Sequence, residues 1–345
     1  MGVNIRDLIT VAKEVELESL CRRSIAIDAM NALYQFLAII RQRDGTPLID
    51  RRGNITSHLS GLFYRTVNLV EVGIKPVYVF DGPPVPLKQK TIEERERLRE
   101  EAYRRWKLAL QRGDLKEARK YAQAALHLTP EMIDEAKKLL TYMGIPYVDA
   151  KHDGEAQAAY MAAKGDVWAT ASQDYDSLLF GSPRLVRNLT ISGRRKLPGR
   201  DEYIKIMPEI IELDKVLSSL GIDRRKLIMI GLLVGTDFNE GVKGIGPKTA
   251  LGIVKKVDDI DDLFKYTRFK ESPEIIKEVF KLFESPDVNK EYKLEWKRPN
   301  REKIIEFLCD EHDFSRERVE KAISRMEKAY DKFFAVKGLD AWLFG

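Results

Sequence analysis

Ser24-Ile25-Ala26-Ile27-Asp28 and Pro76-Val77-Tyr78-Val79-Phe80-Asp81 decide how this chain folds. Each is a short apolar run without polar alternation, the pattern of a strand covered on both faces. Each is closed by an aspartate. Tyr147-Val148 and Val167-Trp168-Ala169-Thr170-Ala171 read as two further strands. The stretches between them carry helical spacing. Ile55, Leu59, Leu62, Phe63, Val67 and Val70 make one apolar stripe, which stops at Gly73. Met132, Ile133, Ala136, Leu140 and Met143 make another, opened by Thr129-Pro130 and closed by Gly144. Strand alternating with helix predicts an α/β fold: a mostly parallel central sheet flanked by helices on both faces.

Two regions break the alternation. Residues 88–120 hold twelve Lys or Arg against seven Asp or Glu, a net +5 that equals the excess of the whole 345-residue chain. Tyr103 and Trp106 lie within that segment, and Tyr121 just past it. Beyond Thr236 the pattern is wholly helical, over 246–256, 272–283, 301–308 and 315–334, while 335–345 continues no stripe. Two cysteines, Cys21 and Cys309, exclude a disulfide framework and any four-thiolate zinc site, and suit a reducing interior. The most apolar stretch, 227–234, is far short of the roughly 20 residues that span a bilayer. The amino terminus lacks the layout of a signal peptide. An intracellular protein is expected.

The acids form the sharpest pattern. Asp28 and Asp81 follow strands, as do Asp174 and Asp176 in Ser172-Gln173-Asp174-Tyr175-Asp176. Asp153 and Glu155 open the helix that begins Gly154-Glu155-Ala156, and Asp237 follows the apolar helix 226–234. In an open parallel sheet the carboxyl ends of the strands line one crevice, where such folds bind ligands. Seven carboxylates there would repel one another and drive several to protonate. Divalent cations relieve this, and oxygen-only ligation favours Mg²⁺, with Mn²⁺ as a substitute, over zinc. The four histidines, at 58, 127, 152 and 312, show no paired ligand spacing. Two such ions are the usual apparatus of phosphodiester hydrolysis. Taken singly, Asp28 or Asp81 most often reads as a helix N-cap or turn residue, and Asp174 with Asp176 as a solvated turn. Asp149 also ends a strand and is read as structural.

Lys88 and Arg95 stand seven residues apart, on one face of a helix. They could offset charge at a scissile phosphate, or belong to a merely solvated helix. A long charged insertion after a strand also reads as a gate over the site. Gly241-Val242-Lys243-Gly244-Ile245-Gly246-Pro247-Lys248 fails as a phosphate loop, because Pro247 stands where Lys is required. Gly244, Gly246 and Lys248 instead resemble a helix-hairpin-helix, whose amides and lysine hold duplex phosphates without reading sequence. A plain turn and helix start is the alternative. Arg194-Arg195-Lys196 reads as a solvated basic loop.

Six motifs resemble those of the flap endonucleases. They are Ile25-Ala26-Ile27-Asp28-Ala29, Val79-Phe80-Asp81-Gly82-Pro83-Pro84, Met143-Gly144-Ile145-Pro146-Tyr147-Val148, Gly154-Glu155-Ala156-Gln157-Ala158, Ser172-Gln173-Asp174-Tyr175-Asp176-Ser177-Leu178-Leu179-Phe180-Gly181 and Gly244-Ile245-Gly246-Pro247-Lys248. They occur in the family's order from Met1-Gly2 to about residue 330, closest to the archaeal branch. The resemblance implies a Mg²⁺-dependent 5′ nuclease that removes single-stranded flaps at DNA junctions in replication and repair. It implies that Asp28, Asp81, Asp153, Glu155, Asp174, Asp176 and Asp237 bind two metal ions and that Lys88 and Arg95 engage the scissile phosphate. Tyr34 matches an aromatic on which an unpaired base stacks, unless its ring faces the core. Gly2 matches a small residue beside the DNA path.

The implied layout is one nuclease domain over 1–330. It carries a helical arch at 83–128 and a helix-hairpin-helix duplex-binding region at 236–300. A tail, 331–345, carries a sliding-clamp peptide in Leu339, Trp342 and Leu343. Two departures stand out. Lys151-His152-Asp153 replaces the family's Pro-Ser-Glu, leaving a carboxylate one methylene shorter, to which a water-mediated metal contact comes more easily. Val336 stands where the clamp peptide has Gln, and Leu343 where it has a second aromatic. A monomer acting on branched DNA is expected. A 5′ exonuclease or gap endonuclease of the same superfamily, and a non-cleaving junction scaffold, are the alternatives.

Overall fold

The computed structural model describes residues 2–42, 46–114, 117, 120–121, 124–125, 127–196 and 203–335. Within it the two Asp-terminated runs lie side by side. Among the described residues nine strands form: Lys13–Glu14 (β1), Ser24–Asp28 (β2), Lys75–Phe80 (β3), Tyr147–Asp149 (β4), Ala169–Ala171 (β5), Arg184–Arg187 (β6), Gly193–Lys196 (β7), Tyr203–Ile206 (β8) and Glu209–Glu212 (β9). Seven make one sheet in the order β1-β9-β6-β5-β2-β3-β4, and β7 and β8 make a separate hairpin. β4, β3, β2, β5 and β6 are parallel to their neighbours, while β9 joins both β6 and β1 antiparallel.

The apolar runs carry no polar alternation because both faces are covered. Ile25, Ile27, Tyr78 and Phe80 point into a core built from helices Ala29–Ile39, Ser57–Glu71, Pro130–Met143 and Arg316–Phe333. Ala26, Val77 and Val79 point the other way, onto Ala158, Met161 and Ala162 of helix Gly154–Lys164. Full burial of one such Leu, Val or Phe side chain stabilises by about 1.5–3 kcal/mol. Tyr78, wholly buried, pairs its hydroxyl with Thr66 Oγ1 at 2.8 Å, so no polar atom is stranded there.

Local signals set the helix ends. Thr129 Oγ1 accepts from Met132 N, and Gly144 closes that helix at φ +69°. A Cβ on Gly144 would stand 2.2 Å from the carbonyl oxygen of Lys297, so both backbone conformation and space require glycine.

Several features differ from the sequence reading. β6 and β9 are new strands, each two aliphatics between charges (Arg-Leu-Val-Arg, Glu-Ile-Ile-Glu), too short for periodicity to announce. Their register sets Arg184 opposite Glu212 and Arg187 opposite Glu209. Arg194-Arg195-Lys196 is strand β7, paired to β8, rather than a loop. Helix Ile260–Tyr266 fills part of the stretch left between helices, and Arg301–Ile305 passes into a π-turn at Glu306–Glu311. Among the described residues no helix is long and apolar enough to cross a membrane.

Candidate active site

Because β2, β3 and β5 run parallel, their carboxyl ends open on the same side. A cavity of about 810 Å³ lies there, lined by Asp28, Asp81, Asp153, Glu155, Asp174, Asp176 and Asp237, with Lys88, Arg95 and Tyr34 on its walls. All seven acids singled out in the sequence therefore meet at one place.

Four of them are anchored through one oxygen to a backbone amide. Asp28 is the N-cap of Ala29–Ile39 and accepts from Asn31 N at 3.0 Å. Asp81 Oδ1 accepts from Gly154 N at 2.7 Å. Asp153 caps helix Gly154–Lys164, accepting from Glu155 N at 2.9 Å and Ala156 N at 3.1 Å. Asp176 Oδ1 accepts from Val3 N at 2.7 Å. Capping and cavity-lining are thus the same residues' two jobs, not rival readings. Space is equally tight: a Cβ on Gly154 would lie 2.8 Å from Asp81 Oδ1, and one on Gly2 would lie 2.6 Å from Asp174 Cβ.

Two cations face the acids. Lys88 Nζ donates to Asp153 Oδ2 at 2.9 Å, and Arg95 donates to Asp237 Oδ1 at 2.5 Å. Burial would push the Lys88 ammonium down, but the charges of Asp153 and Asp81 outweigh that and hold it protonated far above the usual range. The carboxylates move the other way. Burial, then repulsion from Asp153, pushes Asp81 up to about 6; burial foremost, with Asp237 and Asp174 adding, pushes Asp176 up to about 7. Asp28, by burial and Asp81, and Glu155, by burial and Asp176, are raised well above ordinary carboxylates. The cavity is short of positive charge.

The fit to a metal can be tested on the donors themselves. They are all oxygen, and Glu155 Oε1 is buried without a hydrogen-bond partner. Such an atom costs about 1–3 kcal/mol unless something positive meets it. Among the described residues no three His, Cys, Asp or Glu side chains already close around a single point. Of the seven, Asp153 faces Lys88 and Asp237 faces Arg95. In charge and chemistry the set suits hard divalent cations.

Several lining residues escaped the sequence reading. Arg99, one turn beyond Arg95, places its guanidinium 5.2 Å from the half-buried Tyr34 ring. Asn31 Nδ2 lies 3.4 Å from Asp174 Oδ2. Phe238 lies under Lys88 at 5.6 Å. The i, i+4 step from Arg95 could have flagged Arg99. Asn31 and Phe238 carried no comparable signal.

Gly244, Gly246 and Lys248 lie apart from the cavity. Gly244 turns at φ +84°, Gly246 is the N-cap of Pro247–Val254, and all three are exposed. A Cβ on either glycine would meet nothing within 4 Å, so the loop's backbone is open to an approaching surface. Leu339, Trp342 and Leu343 lie outside the described residues.

Comparison with known proteins agrees along the chain. The XPG N-terminal domain matches residues 1–102 and the XPG I-region matches 144–237. Flap endonuclease 1 of Pyrococcus abyssi is 59% identical over 330 residues, 95% of each chain. The solved flap endonuclease-1 from Methanococcus jannaschii superposes with a TM-score of 0.75 at 45% identity, covering 96% of this chain and 99% of that one. The Holliday junction-resolving enzyme GEN1, solved with product DNA and Mg²⁺, shares the fold at 20% identity, with a TM-score of 0.62 over 95% of this chain and 80% of its own.

Proposed function

The chain belongs to the flap endonuclease 1 family of structure-specific DNA endonucleases, and on that footing we propose that its acidic cavity is where the scissile phosphate of a 5′ flap is cut. The observation that carries this is the convergence of seven carboxylates, from five separated segments of chain, opposite Lys88 and Arg95. Asp28, Asp81, Glu155, Asp174, Asp176 and Asp237 hold two Mg²⁺ ions, for which Mn²⁺ substitutes. Asp153, shorter than the family's Glu and engaged by its helix and by Lys88, would complete the acidic set, a water-mediated contact coming more easily to it than direct ligation. A relative of the same fold solved with Mg²⁺ and product DNA supports that metal class. Bound there, divalent cations supply an activated water and neutralise charge on the phosphate oxygens.

The chain's own residues supply the rest. Lys88 and Arg95 exchange their carboxylate partners for the phosphate and face the charge that develops on it. Tyr34 stacks an unpaired base, a contact worth about 1–3 kcal/mol. Gly2 leaves room for the strand beside Asp174 and Asp176. The amides of Gly244 and Gly246, with Lys248, hold duplex phosphates, so affinity depends on salt and not on sequence. In this layout 1–330 is the nuclease domain, 83–128 an arch that admits single strand, and 236–300 the duplex-binding region. The tail 331–345 carries a weakened clamp peptide.

Labelled double-flap, nicked and blunt duplexes, incubated with and without Mg²⁺, test the reading. Mg²⁺-dependent release of the flap is expected, far faster than digestion of nicked or blunt ends. Equal digestion of all three would favour an exonuclease. Asp176→Ala is expected to bind flap DNA in Ca²⁺ and leave it uncut; normal turnover would remove the metal assignment.

A further inference from the structure

We propose that Arg187 is a positioning residue for the metal site: it holds the loop Ser172–Asp176 from behind so that Asp174 and Asp176 project into the cavity. This rests on reading those two acids as metal ligands. The loop leaves β5 and enters the short helix Asp176–Leu179, and its even-numbered acids line the cavity. The odd-numbered residues are gripped by Arg187, the last residue of β6. Its Nε donates to the carbonyl oxygen of Gln173 at 3.2 Å, and one terminal nitrogen donates to Tyr175 Oη at 2.8 Å. Its guanidinium also lies over the Tyr175 ring, 4.6 Å from the centroid.

Arg187 is itself aimed from the far side. The nitrogen that meets Tyr175 also meets Glu209 Oε2 at 3.2 Å, and the β6–β9 register sets those two residues opposite each other. Both side chains are mostly buried. A rigid planar fork reaches the Gln173 carbonyl from Nε and the Tyr175 phenol and Glu209 carboxylate from a terminal nitrogen; the single nitrogen of an ammonium cannot occupy both positions. Neither Arg187, Gln173, Tyr175 nor Glu209 lines the cavity, so Arg187 acts only through the loop. The two acids also have local supports: Val3 N for Asp176 and Asn31 Nδ2 for Asp174 orient the carboxylates, and the Asp174 amide donates to Ser172 Oγ at 3.2 Å, a bond within the loop that does not tie it to the sheet. Loss of such outer supports typically weakens a metal site by about 10–100-fold.

The test pairs Arg187→Met with Glu209→Gln, so that no buried charge is left alone. Two metal readouts are taken: the Mn²⁺ concentration at the midpoint of the Tm rise of DNA-free protein, and the Mg²⁺ concentration giving half the maximal single-turnover rate on a double flap. Flap affinity in EDTA is measured beside them. The double variant is expected to keep its metal-free Tm within a few degrees and its affinity in EDTA, while both metal midpoints rise about tenfold or more. Arg187→Lys, keeping charge without the fork, is expected to raise them as well. Unchanged midpoints in the folded double variant overturn the proposal.

Should that variant not fold, Tyr175→Phe removes only the phenol contact and is expected to raise both midpoints a few-fold; no rise there overturns the proposal equally. Asp174→Asn separates the two layers of inference. A shift in Asp174→Asn with none in the Arg187 variants removes the positioning role alone, whereas no shift in either removes the metal reading of Asp174 and the proposal with it.

Discussion

Arg95 and Asp237 are 142 residues apart in the chain and 2.5 Å apart in space. Helix Gln89–Gln111, inserted after β3, is thereby tied by charge to the residue that follows helix Arg224–Val234 on the opposite wall of the cavity. Arg95→Ala is expected to free that helix, with faster amide exchange over 89–111 in DNA-free protein and at least tenfold slower single-turnover cleavage. Unaltered exchange would mean that the pair does not restrain the helix.

Lys88 faces Asp153, Asp81 and Asp237 and stays charged, so its removal bears on chemistry before binding. Lys88→Ala is expected to slow single-turnover cleavage by about 10²–10³-fold, the scale of losing one preorganised donor, with flap affinity within about threefold. An affinity loss accounting for the whole effect would make Lys88 a docking residue.

The raised carboxylates give a pH dependence of known sign. Unfolded Asp and Glu titrate near 4, whereas Asp81 and Asp176 in the folded chain titrate at about 6 and about 7. Across that window the folded protein binds more protons than the unfolded, so metal-free stability falls as pH rises. Scanning fluorimetry in EDTA is expected to show Tm dropping between pH 5 and 7. Saturating Mg²⁺ is expected to flatten the drop, since an ion bound only to the folded state adds about 2.7 kcal/mol at a hundred times its Kd. A metal-free Tm that climbs over this range would contradict the electrostatic account.

Asp153 divides its oxygens between helix amides and Lys88, and two substitutions separate those roles. Asp153→Ala loses both and is expected to destabilise by about 0.5–2 kcal/mol as well as slow cleavage. Asp153→Asn retains the cap, so stability should stay near wild type while cleavage still slows. Equal stability loss in both variants would mean that the charge, not the cap, holds the helix start.

Much of this was legible in the sequence because geometry makes strand ends special. Ile25-Ala26-Ile27 and Val77-Tyr78-Val79 are apolar on both faces, so a parallel sheet follows, and Asp28 and Asp81 must then open on the same side as Asp174. Thr129, Pro130 and Gly144 marked a helix by their own backbone chemistry. β6 and β9 were not legible. Four residues with charged ends carry no period, and those charges are explained only by the partner strand, Arg187 against Glu209. The same limit hid Asn31 and Phe238, whose importance lies in what the fold brings beside them. Asp28 seemed to pose a choice between cap and cavity that the folded chain does not make.

The sheet ends on one side in β1, two charged residues long, and on the other in β4, three residues whose Asp149 pairs with Lys137 at 2.7 Å. Neither border offers a long bare row of amides and carbonyls onto which another copy could add a strand. The main sheet thus gives other copies of this protein little to stack on, and that protection is written into its two short outer strands.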